Sequence, residues 1–136
     1  MLDFTKLWNK TYLLGPNPFD FSRSDRAFFA LAAAFIALSV IVFFLRRRAD
    51  HGSPQNYLLS RIFHLFFTMG IFLLIWVGAR FENAPGLSLH IFPLFLLLIF
   101  IIWAGAIGRY YFTRHRPAVK VWEEEKLKAK YLSRSK

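Results

Sequence analysis

Residues 27–48 read AFFALAAAFIALSVIVFFLRRR, and this stretch decides the fold. From Ala27 to Leu45 only Ser39 interrupts the apolar run, and Arg46, Arg47 and Arg48 follow with no spacer. At 1.5 Å per residue a helix of this length covers about 28 Å, the thickness of a bilayer's hydrocarbon core. Three consecutive guanidinium groups are costly in lipid, so they end the span. A cleavable signal peptide carries its positive charge before a shorter apolar region and a small-residue cleavage site after it. Here the charge comes last, so the segment reads as a retained span.

Two further runs repeat the pattern. Ile62–Ala79 is bracketed by Arg61 and Arg80, both expected to snorkel to the interfaces along their aliphatic stems. Residues 89–108 form the third span, after the breaker sequence Asn83-Ala84-Pro85-Gly86, so spans two and three make a helical hairpin. Pro93 falls in the first turn of span three if Ser88 or His90 caps it, where its missing N–H costs little. With 56% hydrophobic and 19% aromatic residues, the chain carries more apolar surface than a soluble domain of 136 residues can hide. The expected fold is therefore an all-α integral membrane protein with three transmembrane helices, residues 27–45, 62–79 and 89–108.

The flanks differ in kind. Residues 1–26 comprise a segment, 1–14, in which Leu2, Phe4, Leu7, Trp8, Leu13 and Leu14 alternate with polar residues as in an interfacial helix. Gly15-Pro16-Asn17-Pro18 then breaks it, and a linker offers Ser22, Ser24 or Asp25 as a cap for span one. Residues 109–136 form a basic tail with a charged helix starting at Pro117. Its Glu123, Glu124 and Glu125 precede Lys126 and Lys128 at spacings that allow pairing along the helix.

Orientation follows from the basic residues. Arg46, Arg47, Arg48, Arg61 and everything from Arg109 onward place 13 Lys and Arg on one side, against 5 (Lys6, Lys10, Arg23, Arg26 and Arg80) on the other. The positive-inside rule puts the first group in the cytoplasm and the N-terminus outside. Trp76 near one boundary and Trp103, Tyr110 and Tyr111 near the other fit aromatic belts. The net charge of +10 is thus directed at anionic headgroups, nucleic acid being the weaker reading. The ending WEEEKLKAKYL, residues 122–132, resembles small three-span proteins of bacterial genomes; the resemblance carries no activity and implies a bacterial plasma membrane.

Catalytic chemistry finds little support. His64 and His90 are the ionisable side chains inside the apolar runs, but they belong to opposite membrane faces and cannot ligate one metal within a protomer. They read as neutral interfacial histidines. The spans hold no Asp or Glu for proton-coupled transport, and Ser39 and Thr68 have no His or acidic neighbour at helical spacing. HExxH, GxSxG and glycine-rich phosphate loops are absent from the sequence, and the lack of Cys excludes thiolate chemistry, so no cofactor is implied. Ala30, Ala34 and Ala37 in span one, and Ala104 with Gly108 in span three, form small-residue faces expected to serve packing within the three-helix unit.

The contact residues expected from this pattern are Arg46, Arg47, Arg48, Arg109, Arg114, Arg116, Lys120 and Trp122, meeting anionic lipid and a protein partner. The function expected is a non-catalytic accessory or scaffolding membrane protein. A subunit of a homo-oligomeric channel or transporter is the alternative, and a membrane enzyme using histidines between protomers the third.

Overall fold

The computed structural model describes residues 8, 10–11, 23–82, 84 and 86–135. These fold into helices α1 (Arg23–Arg48), α2 (Pro54–Phe81), α3 (Ile91–Tyr110), a π-helical turn (Tyr111–His115) and α4 (Arg116–Arg134). Among the described residues there is no strand. Three helices are long and apolar enough to cross a membrane: α1, α2 and the continuous rod from Ile91 to Arg134. Of the segment 1–14, Trp8, Lys10 and Thr11 alone are described. Leu2, Phe4, Lys6, Leu7, Asn9, Leu13 and Leu14, the break at 15–18, Asn83 and Pro85 lie outside the described residues.

Each helix extends beyond its apolar run. At about 1.5 Å per residue α1 and α2 reach about 39 and 42 Å, longer than a hydrocarbon core, which gives their charged ends room outside it. Helix α2 starts cleanly because Ser53 Oγ accepts from the Asn56 N–H at 3.2 Å and Pro54 occupies the first turn, where no N–H is needed. Pro93 likewise sits in the first turn of α3. Between α2 and α3 the chain reverses over residues 82–90. Gly86 adopts φ 81° there, a left-handed backbone that side chains resist.

The core lies at mid-height. Phe35 of α1, Phe66 of α2 and Phe100 of α3 meet with centroid separations of 4.9 to 6.0 Å, so each helix supplies one ring to a shared aromatic cluster. Ala32, Leu65, Met69, Leu73 and Ile107 complete the buried set. The outer surface is apolar as well. Phe44, Ile75 and Ile101 are 59, 61 and 65% exposed, so apolar side chains face outward on all three helices.

The tightest approach is between α1 and α2 at Gly70. A Cβ there would stand 2.6 Å from Ile36 Cδ1 and 3.3 Å from the Ile36 backbone nitrogen. The side-chain tip can yield, but the backbone cannot without moving α1. Gly70→Val should cost about 2 kcal/mol, because overpacking of about 1–3 kcal/mol outweighs the helix propensity gained over glycine, as measured by detergent-denaturation midpoints. An unchanged midpoint would show that the two helices separate freely.

Expected small-residue packing is corrected here. Ala30, Ala34 and Ala37 are exposed, turned away from α2 and α3, because Ala32, Phe35, Ser39 and Val42 form the inward face of α1. Ala104 does pack against the core, and Gly108 is half-buried with open space around it.

The charged helix of the tail begins at Arg116 with Pro117 in its first turn, and it follows α3 without a gap. Pro117 would remove an N–H and press its ring on the carbonyl four residues back, so a plain α-helix would break. A π turn absorbs the misfit: the Arg116 N–H reaches the Tyr111 carbonyl, five residues back, and Thr113 Oγ1 donates to the Arg109 carbonyl at 2.7 Å. Helix α4 thereby continues the axis of α3. It leans on the α1–α2 loop through Lys126 Nζ, 2.7 Å from Asp50 Oδ2 and 4.4 Å from the Trp122 ring centroid, so Lys126 pairs across the fold instead of with Glu123.

Lys126 holds the Asp50 carboxyl below the usual carboxylate range, by hydrogen bonding first and charge second. A depressed folded value means that the contact contributes above the ordinary carboxylate pKa and is lost as pH falls through the lowered one. Spin-label distances between the α1–α2 loop and α4 should therefore stay fixed at neutral pH and broaden only in strong acid. Broadening already near neutral pH would contradict the pairing.

Candidate functional site

The bundle has two chemically distinct ends. At one end, antiparallel packing sets the N-terminus of α1 beside the C-terminus of α2, with the start of α3 against both. Asp25 occupies the first turn of α1, where a carboxylate suits the helix dipole, and Arg80 the last turn of α2, where a cation does. Asp25 Oδ2 accepts from Arg80 Nε at 3.4 Å and Nη2 at 3.3 Å, while Asp25 Oδ1 stands 2.9 Å from His90 Nε2. An ionised carboxylate can only accept, so Nε2 carries the hydrogen in this contact. The side chains of Asp25, Arg80 and His90 are 0, 2 and 3% exposed, which closes the cluster to any substrate approaching from solvent.

Trp76 seals this end. Its Nε1 donates to the Leu89 carbonyl at 3.0 Å, and its ring meets Phe28 edge-on at 5.4 Å and His90 at 6.0 Å. Two expectations are corrected here. Arg80 does not snorkel outward and Trp76 is no belt residue, because the carboxylate and carbonyl that satisfy them lie inside the bundle. His90 bonds to a neighbouring helix, as an interfacial histidine can, but it is buried in doing so. The sequence gives one hint of this grouping: a lone carboxylate just before an apolar run and an arginine just after another mark the same end.

The other end is basic and open. Arg46 Nε donates to Asn56 Oδ1 at 3.2 Å, Arg47 lies 4.9 Å from the Phe43 ring, and Arg48 is exposed. Arg61 lies 4.2 Å from the Tyr110 ring, and Arg116 is 5.5 Å from that of Phe112. Arg109 and Arg114 are exposed, and Trp122 is half-buried beneath Lys126.

Among the described residues, open grooves indent this end. One of about 480 Å³ is lined by Arg61, His64, Thr68, Trp103, Ala106 and Ile107, and another of about 410 Å³ involves Arg46, Arg47, His51 and Asn56. The largest, about 570 Å³, lies between the start of α2 and the π turn, with Gln55, Tyr111, His115, Arg116 and Lys120 among its lining residues. The structure thus brings Arg116 and Lys120 together and leaves Arg109 and Arg114 outside that groove. It keeps His64 at the basic end and His90 at the far one, so the two share no site.

His115 is the residue that sequence reasoning passed over. It stacks on Tyr111 at 5.2 Å and is 6% exposed, its Nδ1 making no hydrogen bond within the protein. Its position between two arginines and just ahead of Pro117 is the available signal. Among the described residues no group of three or more His, Asp or Glu is placed to hold a metal ion. Comparison with protein families, curated proteins and solved structures finds no match for this chain.

Proposed function

We propose that the protein is a non-catalytic accessory or scaffolding protein of a membrane, whose basic end faces the cytoplasm, holds anionic lipid headgroups and docks a protein partner. The observation carrying this reading is the contrast between the two ends. The polar cluster is buried and its side chains are bonded to one another, whereas each groove at the basic end is open and lined by Arg or Lys. Basic side chains near an anionic leaflet each contribute about 1 kcal/mol of attraction. The exposed side chains of Val121, Leu127, Tyr131 and Leu132 on α4 add apolar surface that a partner or the headgroup layer can cover.

Native mass spectrometry of the full chain, released from bilayers of mixed phosphatidylglycerol and phosphatidylcholine, tests the lipid part. Retention should favour phosphatidylglycerol by about tenfold, as a few such attractions imply. Equal retention of both lipids would contradict the reading. A homo-oligomeric channel or transporter subunit is the second reading, favoured by the outward turn of Ala30, Ala34 and Ala37, which lets another helix approach closely. Cross-linking in the bilayer through that face would support it, and a protein that stays monomeric would remove it.

A further inference from the structure

We infer that the groove between the start of α2 and the π turn is a specific site for the phosphate of an anionic phospholipid headgroup, an assignment that rests on the lipid-contacting reading above. General attraction of a basic surface needs no defined geometry. This groove has one: a concavity of about 570 Å³ on which a buried histidine, His115, and two cations, Arg116 and Lys120, converge.

The floor is His115, stacked on Tyr111 and 6% exposed, whose Nδ1 has no hydrogen-bond partner among the described residues. A buried polar atom without a partner costs stability, and a phosphate oxygen that displaces the packing over Nδ1 recovers it in the tautomer that carries the hydrogen there. The cations are Arg116, whose planar fork suits two phosphate oxygens, and Lys120, one helical turn further along α4. Gln55 brings in the first turn of the 28-residue helix α2, whose N-terminal dipole adds positive potential. No carboxylate is among the lining residues to pair with the ammonium of a zwitterionic lipid, and the aromatic ring that could hold one, Tyr111, already faces Arg116 at 5.9 Å. The π turn makes the arrangement: its extra residue turns His115 into the fold while Arg116 and Lys120 stay on the groove.

The test titrates the purified full chain in non-ionic detergent with short-chain phosphatidylglycerol, the matching phosphatidylcholine and inorganic phosphate, reading affinity by calorimetry. Wild type should bind the phosphatidylglycerol most tightly. Arg116→Gln with Lys120→Gln should weaken it by about tenfold or more, whereas the charge-matched pair Lys128→Gln with Lys130→Gln should change it by about twofold or less. His115→Phe keeps the aromatic stack and removes the ring nitrogens, so it should lower affinity several-fold while the circular dichroism spectrum stays that of wild type.

Equal losses for the two charge-matched pairs would overturn the site and leave general lipid attraction standing. Failure of wild type to prefer phosphatidylglycerol would overturn both. Inorganic phosphate binding as tightly as the lipid would overturn the headgroup as the source of the phosphate.

Discussion

Asp25→Ala should lower the stability of the bundle by about 3–5 kcal/mol, the cost of removing one partner from a buried charge pair. The loss is large because one carboxylate serves two side chains, Arg80 on α2 and His90 in the turn that leads into α3. Without it Arg80 and His90 each lose a bonded partner in a region 0 to 3% exposed. Asp25→Asn keeps an acceptor oxygen but not the charge, and should fall between wild type and alanine. Replacing all three residues together with apolar side chains of similar volume should come close to wild type, since desolvation of the charges is then no longer incurred. Reversible unfolding in mixed micelles, followed by far-ultraviolet circular dichroism, measures each step. An Asp25→Ala midpoint equal to wild type would show that the cluster ties nothing together.

Replacing Arg46, Arg47 and Arg48 with glutamine should produce a population inserted in both orientations. The basic side would then hold 10 Lys and Arg against 5, down from 13. The three arginines lie immediately at the end of the first apolar helix, within the distance over which the positive-inside rule acts, and the first helix usually dominates orientation. Reporter fusions at the C-terminus should change from uniform to mixed signal. Uniform orientation in the variant would assign control to Arg109 and the residues after it.

The parts of this architecture that could be read from sequence are those encoded locally. An apolar run long enough to cross a bilayer, closed by three arginines, specifies a helix and its limits without reference to anything distant. Pro93 in a first turn and the reversal before α3 are local in the same way. The inward face of α1 was not readable, because spacing alone makes Ala30, Ala34 and Ala37 as good a packing stripe as Ala32, Phe35 and Ser39. Lipid removes the amphipathic contrast that would decide between them in water. Gly70 shows its purpose only when Ile36 is seen 2.6 Å from its missing Cβ.

The polar cluster escaped for another reason. Its members lie 55 and 65 positions apart in the chain, and Asp25 and Arg80 stand just outside the apolar runs, where charges are ordinarily solvated. Antiparallel packing then buries them. His115 was hidden by the π turn: in a regular α-helix it would fall on a different face from the one it takes after the extra residue.

Sidedness is the claim on which the lipid and partner readings both depend, and the chain's lack of cysteine makes it directly measurable. Single cysteines at Glu82→Cys, exposed at the end of the buried cluster, and Ser133→Cys, exposed at the basic end, are offered to a membrane-impermeant maleimide. Labelling of Glu82→Cys in intact cells, with Ser133→Cys labelled only after the membrane is opened, is the predicted result; the reverse pattern, or labelling of both from outside, would contradict it.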